Sequence, residues 1–252
     1  MEDFSLQGKV YLGESINGKP GAMHWVNDAA LLQVSPTASE EKRKESYSGN
    51  RGTSATINTG TEVSFSLTLN HGSAKNLALG LYGEVKTVAA ASITGEDFPE
   101  DLLAGDLVML ERGNVSSVVI QDSTGSPVTL VEGTHYAVED AVGGVIKIID
   151  LSTLTQPLSA NYDHGGSSDV LMFNQAPPVR YLMMNGMNTV DGSTDKIRVR
   201  LYRLKFNPVG QLALINDTFG DLQLTGTLLL DSAAELDETL GPYGKLELLD
   251  AE

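Results

Sequence analysis

The sequence of 252 residues contains no cysteine, which removes several kinds of chemistry at once. Disulfide bonds, thiolate metal ligands and cysteine nucleophiles are all excluded. The sequence also lacks the phosphate-binding pattern G-x-x-x-x-G-K-[ST], the nucleophile pattern G-x-S-x-G and the zinc pattern H-E-x-x-H. Its 4 histidines are scattered, with no pair at the spacing typical of metal ligands. We therefore expect a protein that is not an enzyme and that uses no metal or other cofactor.

Aromatic residues and long apolar runs are scarce as well. Only 6% of the residues are aromatic, and Trp25 is the single tryptophan. No apolar run approaches the length of a membrane span, and the opening residues MEDFSLQGK carry acids where a secretion signal has a basic region. We expect a chain without a membrane span that is made in a cytoplasm and is soluble there.

Positive charge is in short supply. The chain has 33 acidic and 17 basic residues, which gives a net charge of −16. A typical nucleic-acid-binding protein gains affinity from basic residues that displace counterions from phosphates, so this balance argues against that class. The acidity predicts either simple solubility through repulsion between copies or a surface that nucleic acid must pass without binding.

Most of the chain has the alternation that is typical of β-strands. In TEVSFSLTL, the apolar residues Val63, Phe65, Leu67 and Leu69 alternate with polar ones. Shorter strand-like runs, separated by turn residues, are GKVYLGE (8–14), AMHWVNDAALLQV (22–34), DVLMFNQ (169–175), RYLMMNGM (180–187), IRVRLYRLKF (197–206) and DLQLTGTLLLD (221–231). These runs predict a mainly β fold, with a β-sandwich as its architecture.

One short helix is predicted over residues 73–83. Ser73 is suited to cap its N-terminus, Leu77 and Leu81 share a face, and Gly83 is suited to end it. A weaker helical pattern begins at Ser232.

One predicted strand is unusually basic. It carries five of the 17 basic residues, Lys196, Arg198, Arg200, Arg203 and Lys205. We interpret these residues as an ionic interface with acidic groups of the same fold or of another copy, with anion binding as the alternative. The apolar positions change phase between Leu201 and Tyr202, which predicts a β-bulge.

The middle of the chain has a different sequence pattern from the segments on either side of it. Residues 100–165 read as short consecutive hairpins, in which Tyr136 and Val138 pair with Ile146 and Ile148 across a Gly143-Gly144 turn. The lead-in KTVAAASITGEDFPEDL (86–102) and the exit DHGGSSD (163–169) resemble linkers. We expect a small all-β module inserted into an outer β domain made of residues 1–90 and 166–252. One continuous sandwich is the alternative.

A long polar stretch, residues 36–60, precedes the clearest strand. Its only large apolar side chains are Tyr47 and Ile57, so it cannot bury enough surface to offset the entropy lost on ordering. We predict a long polar loop, and the residues alone favour a flexible, solvated one.

The order of these pieces resembles the major tail protein, or tail tube protein, of long non-contractile-tailed bacteriophages. The resemblance covers most of the chain, and it rests on the kind of segments present and on their order along the sequence. Its most specific pieces are NLALGLYG (76–83) and GTHYAVEDAVGGVIKI (133–148). Further pieces are GKVYLGESINGKPGAMHWV, TEVSFSLTL, VRYLMMNGMN and YRLKFNP.

The resemblance implies a structural virion protein. Six copies would join their sheets into a ring around an inner β-barrel, and the rings would stack into a tail tube through whose acidic channel double-stranded DNA passes during ejection. The partners would be further copies and other tail proteins, namely the tape measure, terminator and tip proteins. The protein would be made in the cytoplasm of a bacterial host, and the inserted module would be immunoglobulin-like and lie outside the tube.

The resemblance also assigns roles to particular residues. The long loop would reach a neighbouring ring and subunit through Glu40, Glu41, Lys42, Arg43, Lys44, Glu45, Tyr47 and Arg51. Glu62 would face the lumen if its strand belongs to the inner sheet.

Two other classes of protein remain open at this point. One is a non-enzymatic binding module, such as a carbohydrate-binding adhesin or a capsid decoration protein, although exposed aromatics would be scarce for that role. The other is a hydrolase whose paired carboxylates converge only after folding.

Overall fold

The computed structural model describes residues 3–191, 193 and 195–249. The chain is mainly β, with antiparallel strands in a sandwich-like arrangement and a short helix, which confirms the predicted fold class. In chain order, the elements are β1 (Leu6–Ile16), β2 (Lys19–Trp25), β3 (Ala29–Lys44), β4 (Thr53–Leu69), α1 (Ala74–Gly80), β5 (Glu84–Val88), β6 (Ala91–Asp97), β7 (Leu107–Met109), β8 (Val115–Gln121), β9 (Tyr136–Asp140), β10 (Val145–Ile148), β11 (Ser159–His164), β12 (Ser167–Leu171), β13 (Val179–Asn188), β14 (Lys196–Phe206), β15 (Leu222–Leu228), α2 (Ser232–Glu235) and β16 (Gly244–Leu249).

The chain divides into two units. Unit 1 consists of Met1–Val85 and Val170–Glu252, and unit 2 of Lys86–Asp169. Unit 2 begins earlier than the expected residue 100 because β6 pairs with β11. The interpretation of residues 163–169 as a linker is wrong, because β11 and β12 cover all but two of them, and the interpretation of residues 86–102 as a linker is wrong for β6. Its mostly small and polar side chains gave no apolar alternation in the sequence.

The main sheet of unit 1 runs in the order β2-β1-β13-β14-β15-β4-β3, and β16 joins it at β14. β14 changes partner along its length, because residues 196–201 pair with β16 and residues 204–206 pair with β15. Its register with β13 shifts opposite Tyr181. This shift confirms the bulge predicted between Leu201 and Tyr202, both of which are buried.

The main core of unit 1 lies on one face of this sheet, and α1 packs on it through Leu79. Its buried side chains follow the period of two that the strands predict: Val10, Leu12, Val26, Val63, Phe65, Leu67, Leu69, Leu182, Leu201, Leu204, Phe206, Leu222, Leu224 and Leu228. Phe65 and Phe206 meet edge to face, with ring centroids 5.0 Å apart. On the opposite face of β13 and β14, Tyr181 and Tyr202 form a smaller cluster with Ala234 of α2.

Helix α1 begins at the predicted residue and ends differently from the prediction. The Ser73 hydroxyl accepts a hydrogen bond from the Asn76 amide at 3.3 Å, as an N-cap should. At the other end, Tyr82 has a φ of 46°, and the Gly83 amide donates to the Ala78 carbonyl at 2.8 Å. This is the Schellman arrangement with tyrosine in the left-handed position, so the assignment of that position to Gly83 is wrong.

Unit 2 contains two three-stranded antiparallel sheets, β7-β10-β9 and β6-β11-β8. The predicted hairpin is confirmed, since Ile146 pairs with Val138 and Ile148 pairs with Tyr136. Its core has Phe98, Leu102, Val108, Leu110, Val115, Ile120, Leu130, Tyr136, Ile146, Ile148, Leu158, Ala160 and Tyr162. Unit 2 thus has a hydrophobic core of its own.

The prediction of a long loop over residues 36–60 is wrong for most of that segment. Residues 36–44 belong to β3 and residues 53–60 to β4, and the two strands pair as an antiparallel ladder from Ala29 opposite Leu69 to Lys44 opposite Thr53. Only residues 45–52 connect them without regular structure. The alternation that marks a strand in sequence arises from burial of one face, and this hairpin buries neither face.

Candidate self-association surfaces

The most exposed regular structure in the chain is the distal half of the β3–β4 hairpin, residues 36–62, which we call the arm. Every residue of the arm is exposed except the half-buried Glu45. The nine residues 36–44 of β3, at ~3.3 Å each, give it a length of about 30 Å. β3 is the last strand of the sheet, and β4 pairs with β15 only over residues 63–69. Both long edges of the arm are therefore open.

The arm contains all of the residues assigned to an inter-subunit contact. Glu40, Glu41, Lys42, Arg43 and Lys44 lie on β3, whereas Glu45, Tyr47 and Arg51 lie in the connection, where Tyr47 is 90% exposed. The two strands form bulges between Ser39 and Glu40 and between Arg43 and Lys44.

The charged groups of the arm make few contacts with the chain that carries them. Over the described part of the chain, the arm forms one ion pair, between Lys42 and Glu40 at 4.0 Å, and both side chains are more than half exposed. Glu45 accepts hydrogen bonds from Ser48, and its backbone amide donates to the Gly52 carbonyl at 2.8 Å. The bond from the Ser48 hydroxyl is the main reason why the pKa of Glu45 lies below its usual value. The other charged side chains of the arm lie free in solvent.

A neutral polar sheet face lies at the base of the arm, on β3, β4 and β15. It is the side turned away from the core, and it presents Leu31, Gln33, Ser35, Ser64, Ser66, Thr68, Gln223, Thr225 and Thr227. None of these side chains is charged, whereas 20% of all residues in the chain are charged. Glu62, the predicted lumen residue, lies exposed opposite Thr37 where the arm begins.

The basic strand β14 is partly neutralised within its own unit. Glu247 of β16 accepts from Arg198 Nε at 2.5 Å and from Arg200 Nη2 at 2.8 Å, and Lys245 Nζ lies 3.4 Å away. The hydrogen bond from Arg198 is the largest of the effects that lower the pKa of Glu247 to about 2.

The remaining basic residues of β14 do not join this cluster. Arg203 donates to the Leu230 carbonyl at 3.0 Å. Lys196 and Lys205 form no ion pair with any residue in the described ranges. The sequence alone did not identify Glu247, because it lies 49 positions from Arg198 and only the β14–β16 pairing brings the two residues together.

The main sheet leaves other strands with an open edge. β2 ends the sheet opposite β3, and β16 pairs with β14 alone. On β16, Leu246 and Leu248 lie opposite the core residues Val199 and Ile197, yet they are 57% and 59% exposed. The apolar face of the sheet thus continues past the region that the core covers.

A cavity of about 780 Å³ lies within unit 1, between α1 and the strands β1, β2 and β13, and we call it the α1 cavity. Its apolar lining includes Ala78, Leu79 and Pro178, and its polar lining includes His24, Lys75, Arg180, Glu14 and Glu84. The Nε2 atom of His24 is buried there without a hydrogen-bond partner.

The charges around His24 are predominantly positive. Burial lowers the pKa of His24, and the charges of Lys75 and Arg180 lower it further. Neither cation forms an ion pair with any residue that the structure describes. The part of the cavity around His24 therefore has positive charge beside an apolar wall, whereas the acids Glu14 and Glu84 of the same lining balance the two cations over the cavity as a whole.

Within residues 3–191, 193 and 195–249, no group of three or more His, Asp or Glu side chains is placed to hold a metal ion. In that same part of the chain, no helix has the length and apolar character needed to cross a membrane.

Comparison with known proteins adds a family and no function. No curated protein matches the chain. A family model described as "Protein of unknown function UCP028589" matches residues 3–247, which is nearly the whole length. The chain therefore belongs to this family.

Proposed function

We propose that the protein is a structural subunit of a bacteriophage tail tube. Copies of the chain would associate into rings, with six copies as the expected number, and the rings would stack around a channel for double-stranded DNA. The resemblance to tail tube proteins and the open surfaces of unit 1 support this proposal. Tape measure, terminator and tip proteins would be the further partners in the tail of the virion.

The arm is the observation that carries the proposal. A two-stranded ribbon without a hydrophobic face is at best marginally stable in water. The arm has no such face, since residues 36–62 are exposed on both sides. A partner that covers the arm and pairs with its edges would supply the missing stabilisation.

A second copy of the chain suits the arm as that partner. The arm carries acids and bases in close succession, with Glu40, Glu41 and Glu45 around residues 42–44, which are Lys, Arg and Lys. Such a mixed set complements itself when two copies meet in an offset or antiparallel arrangement. Across a ring-to-ring contact, these charges would pair and fix the register.

The ring joint would use the other open edges of unit 1. Strand-to-strand pairing between copies extends a sheet and removes its edges. At β16, the same association would cover Leu246 and Leu248, which now expose more than half of their surface. Complete burial of the surface that they still expose would stabilise the contact by roughly 1–2 kcal/mol for each leucine.

The neutral polar face is suited to line the channel. Basic side chains in the wall would hold the DNA by displacing its counterions, and a neutral wall of hydroxyl and amide groups gives no such attraction. The acid Glu62 would lie at the edge of this wall, and the net charge of −16 adds repulsion around it. DNA would then pass without being retained.

The test compares the wild type with a variant whose arm is shortened. Ala38 and Thr61 face each other in the ladder, so an Asn-Gly turn in place of residues 39–60 closes the hairpin at that pair. Both proteins are concentrated and observed by sedimentation velocity and negative-stain electron microscopy. We expect rings or tubes from the wild type and folded monomers from the shortened variant.

A matched control keeps the length and the charge of the arm. Asn50→Ser changes one exposed side chain of the connection and should assemble like the wild type. Fluorescence of Trp25, the single tryptophan, reports whether unit 1 of each variant is folded. Tubes formed by the shortened variant would show that assembly does not need the arm. A wild type that stays monomeric at every concentration would refute the proposal.

A further inference from the structure

The segment between β14 and β15, residues 207–221, contains three almost fully exposed large apolar side chains, and we call it the apolar loop. It contains no helix or strand. Leu214, Ile215 and Phe219 are 86%, 95% and 104% exposed. Loops of about 15 residues without secondary structure are uncommon in compact domains and are usually functional. Clustered apolar groups in such a loop indicate a surface that is covered by something else.

The base of the apolar loop packs on the rest of unit 1, whereas its tip is exposed. The Val209 amide donates to the Gly80 carbonyl at 2.8 Å, and the side chains of Val209 and Leu212 pack on the main core. Beyond Leu212, residues 213–220 are all exposed, and the tip has one internal side-chain bond, from Asn216 Nδ2 to the Ala213 carbonyl at 3.2 Å. The fold therefore presents the tip at a defined place without burying it.

The tip combines apolar groups with negative charge. Asp217 lies between Ile215 and Phe219, is exposed, and forms no ion pair with any residue in the described part of the chain. No basic residue occurs between positions 207 and 221. Around His24, the α1 cavity has an apolar wall and the cations Lys75 and Arg180, which form no ion pair with a described residue, and its lining also contains Glu14 and Glu84.

We propose that the apolar loop of one copy docks in the α1 cavity of a second copy. Ile215 and Phe219 would pack against the apolar wall, and the Asp217 carboxylate would lie between Lys75 and Arg180. It could also accept a hydrogen bond from His24 Nε2, in the tautomer that carries a proton there. The cavity volume of about 780 Å³ lies within the ~300–1,000 Å³ range of sites that enclose a ligand, so it can admit several side chains.

The proposal rests on the self-assembly proposed above and specifies one of its contacts. The loop and the cavity are different patches of one chain, so each copy offers one of each. A contact of this heterologous kind repeats from copy to copy, and it closes into a ring or continues as a filament. Both copies carry a net charge of −16, so the contact depends on the local match between Asp217 and the cations beside His24 and not on net charge.

Cross-linking in a cysteine-free chain tests the contact directly. Phe219→Cys and Ala176→Cys place one thiol on the loop and one in the cavity lining. The two variants are mixed under mild oxidation at a concentration at which the wild type assembles. We expect a disulfide-linked dimer that contains one chain of each kind, at a yield well above that of either variant alone.

Two controls separate this contact from random collision and from docking within one chain. Ser152→Cys, exposed in unit 2, replaces the cavity variant in a parallel mixture and should give only a background yield. The double variant with both thiols in one chain is oxidised while dilute. A high yield of the internal disulfide would show that the cavity takes its own loop, and this would overturn the proposal.

Charge reversal tests the electrostatic part of the match. Arg180→Glu should lower the yield of the mixed dimer about ten- to hundredfold, as expected when a desolvated charge pair is broken. Asp217→Arg on the loop variant should restore much of that yield. Absence of rescue, with both variants folded by Trp25 fluorescence, would contradict the assigned pairing.

The outcomes distinguish this proposal from the proposed function. If the wild type forms tubes and the mixed dimer does not exceed the Ser152→Cys background, the docking is wrong and the tube proposal stands. If the wild type forms neither tubes nor the mixed dimer, both are refuted. A mixed dimer that responds to the charge reversal supports the docking in either case.

Discussion

Glu247 is a single carboxylate that holds two arginines and a lysine on adjacent strands. Its side chain is 16% exposed, and its contacts to Arg198 and Arg200 are 2.5 and 2.8 Å long. Each arginine donates one hydrogen bond to a different oxygen of this carboxylate, and such charge-assisted bonds are among the stronger polar contacts in proteins. They fasten the last strand, β16, to the sheet.

Replacing this carboxylate should give a stability loss that depends on pH. The hydrogen bond from Arg198, followed by the charge of Arg200, takes the pKa of Glu247 from its ordinary 4.5 to about 2, although burial alone would raise it. A lowered pKa in the folded state stabilises the fold above the ordinary pKa, and the effect is lost as pH falls from 4.5 towards 2. Glu247→Gln should therefore lower the urea midpoint at pH 7, and the gap to the wild type should narrow below pH 4.5.

Trp25 fluorescence measures this effect because the single tryptophan lies in unit 1 with Glu247. Glu40→Gln, at an exposed position of the arm, is the matched control and should leave the midpoint nearly unchanged at every pH. A gap for Glu247→Gln that is constant from pH 7 to pH 3 would contradict the assigned ion pairs.

Sequence patterns identify single residues well where the cause is local. Ser73 was predicted as a helix cap, and the structure confirms it, because capping depends on residues within one turn. The acid that pairs with the basic strand was not predictable, since Arg198 and Glu247 meet only through the β14–β16 pairing. Tyr82 in a left-handed conformation was equally hidden, because glycine is the usual residue there.

At the scale of elements, Asn76 connects α1 to the segment between β2 and β3. Its Nδ2 group donates to the Val26 and His71 carbonyls, both at 3.0 Å, and the residue is 1% exposed. Buried carbonyls that lose their donors cost free energy, since no water replaces the bond. One side chain thus satisfies two stretches of backbone next to the helix.

Removing this side chain should destabilise unit 1. Asn76→Ala leaves the two carbonyls without their donor, and we expect the free energy of unfolding to fall by about 1–3 kcal/mol. Urea titration followed by Trp25 fluorescence gives the value. Asn58→Ala, the same change in the exposed arm, should alter it by less than about 0.5 kcal/mol. Equal effects of the two changes would show that Asn76 has no special role at the helix.

The strands show when an element can be predicted and when it cannot. β4 was evident over residues 63–69 and the β9–β10 hairpin was evident throughout, because one face of each is buried and alternation follows. The arm was predicted as a loop because its two faces are both exposed and carry similar polar residues. β6 was not predicted for a related reason. Ala91, Ser92 and Thr94 are small or polar, so the strand shows little alternation between apolar and polar residues.

At the scale of the whole molecule, each copy must find its partners against a net charge of −16. Repulsion between like-charged copies is screened at physiological ionic strength within about 8 Å, so close, complementary contacts can still form. The arm and the docking of the apolar loop would be such contacts. The short, closely spaced hairpins in the middle of the sequence predict an inserted unit within an outer one. The sequence of one chain does not predict which surfaces of two copies meet in an assembly.

In a tail tube, other copies of the chain would pair with the open edges of the arm. Hydrogen–deuterium exchange of residues 36–44 and 53–62, followed by mass spectrometry, measures this in the wild type. We expect fast exchange in dilute protein, because both edges of the arm are open. In concentrated, assembled protein the same amides should exchange at least about tenfold more slowly, since pairing with a second copy protects them. Unchanged exchange of the arm in assembled material would contradict the account.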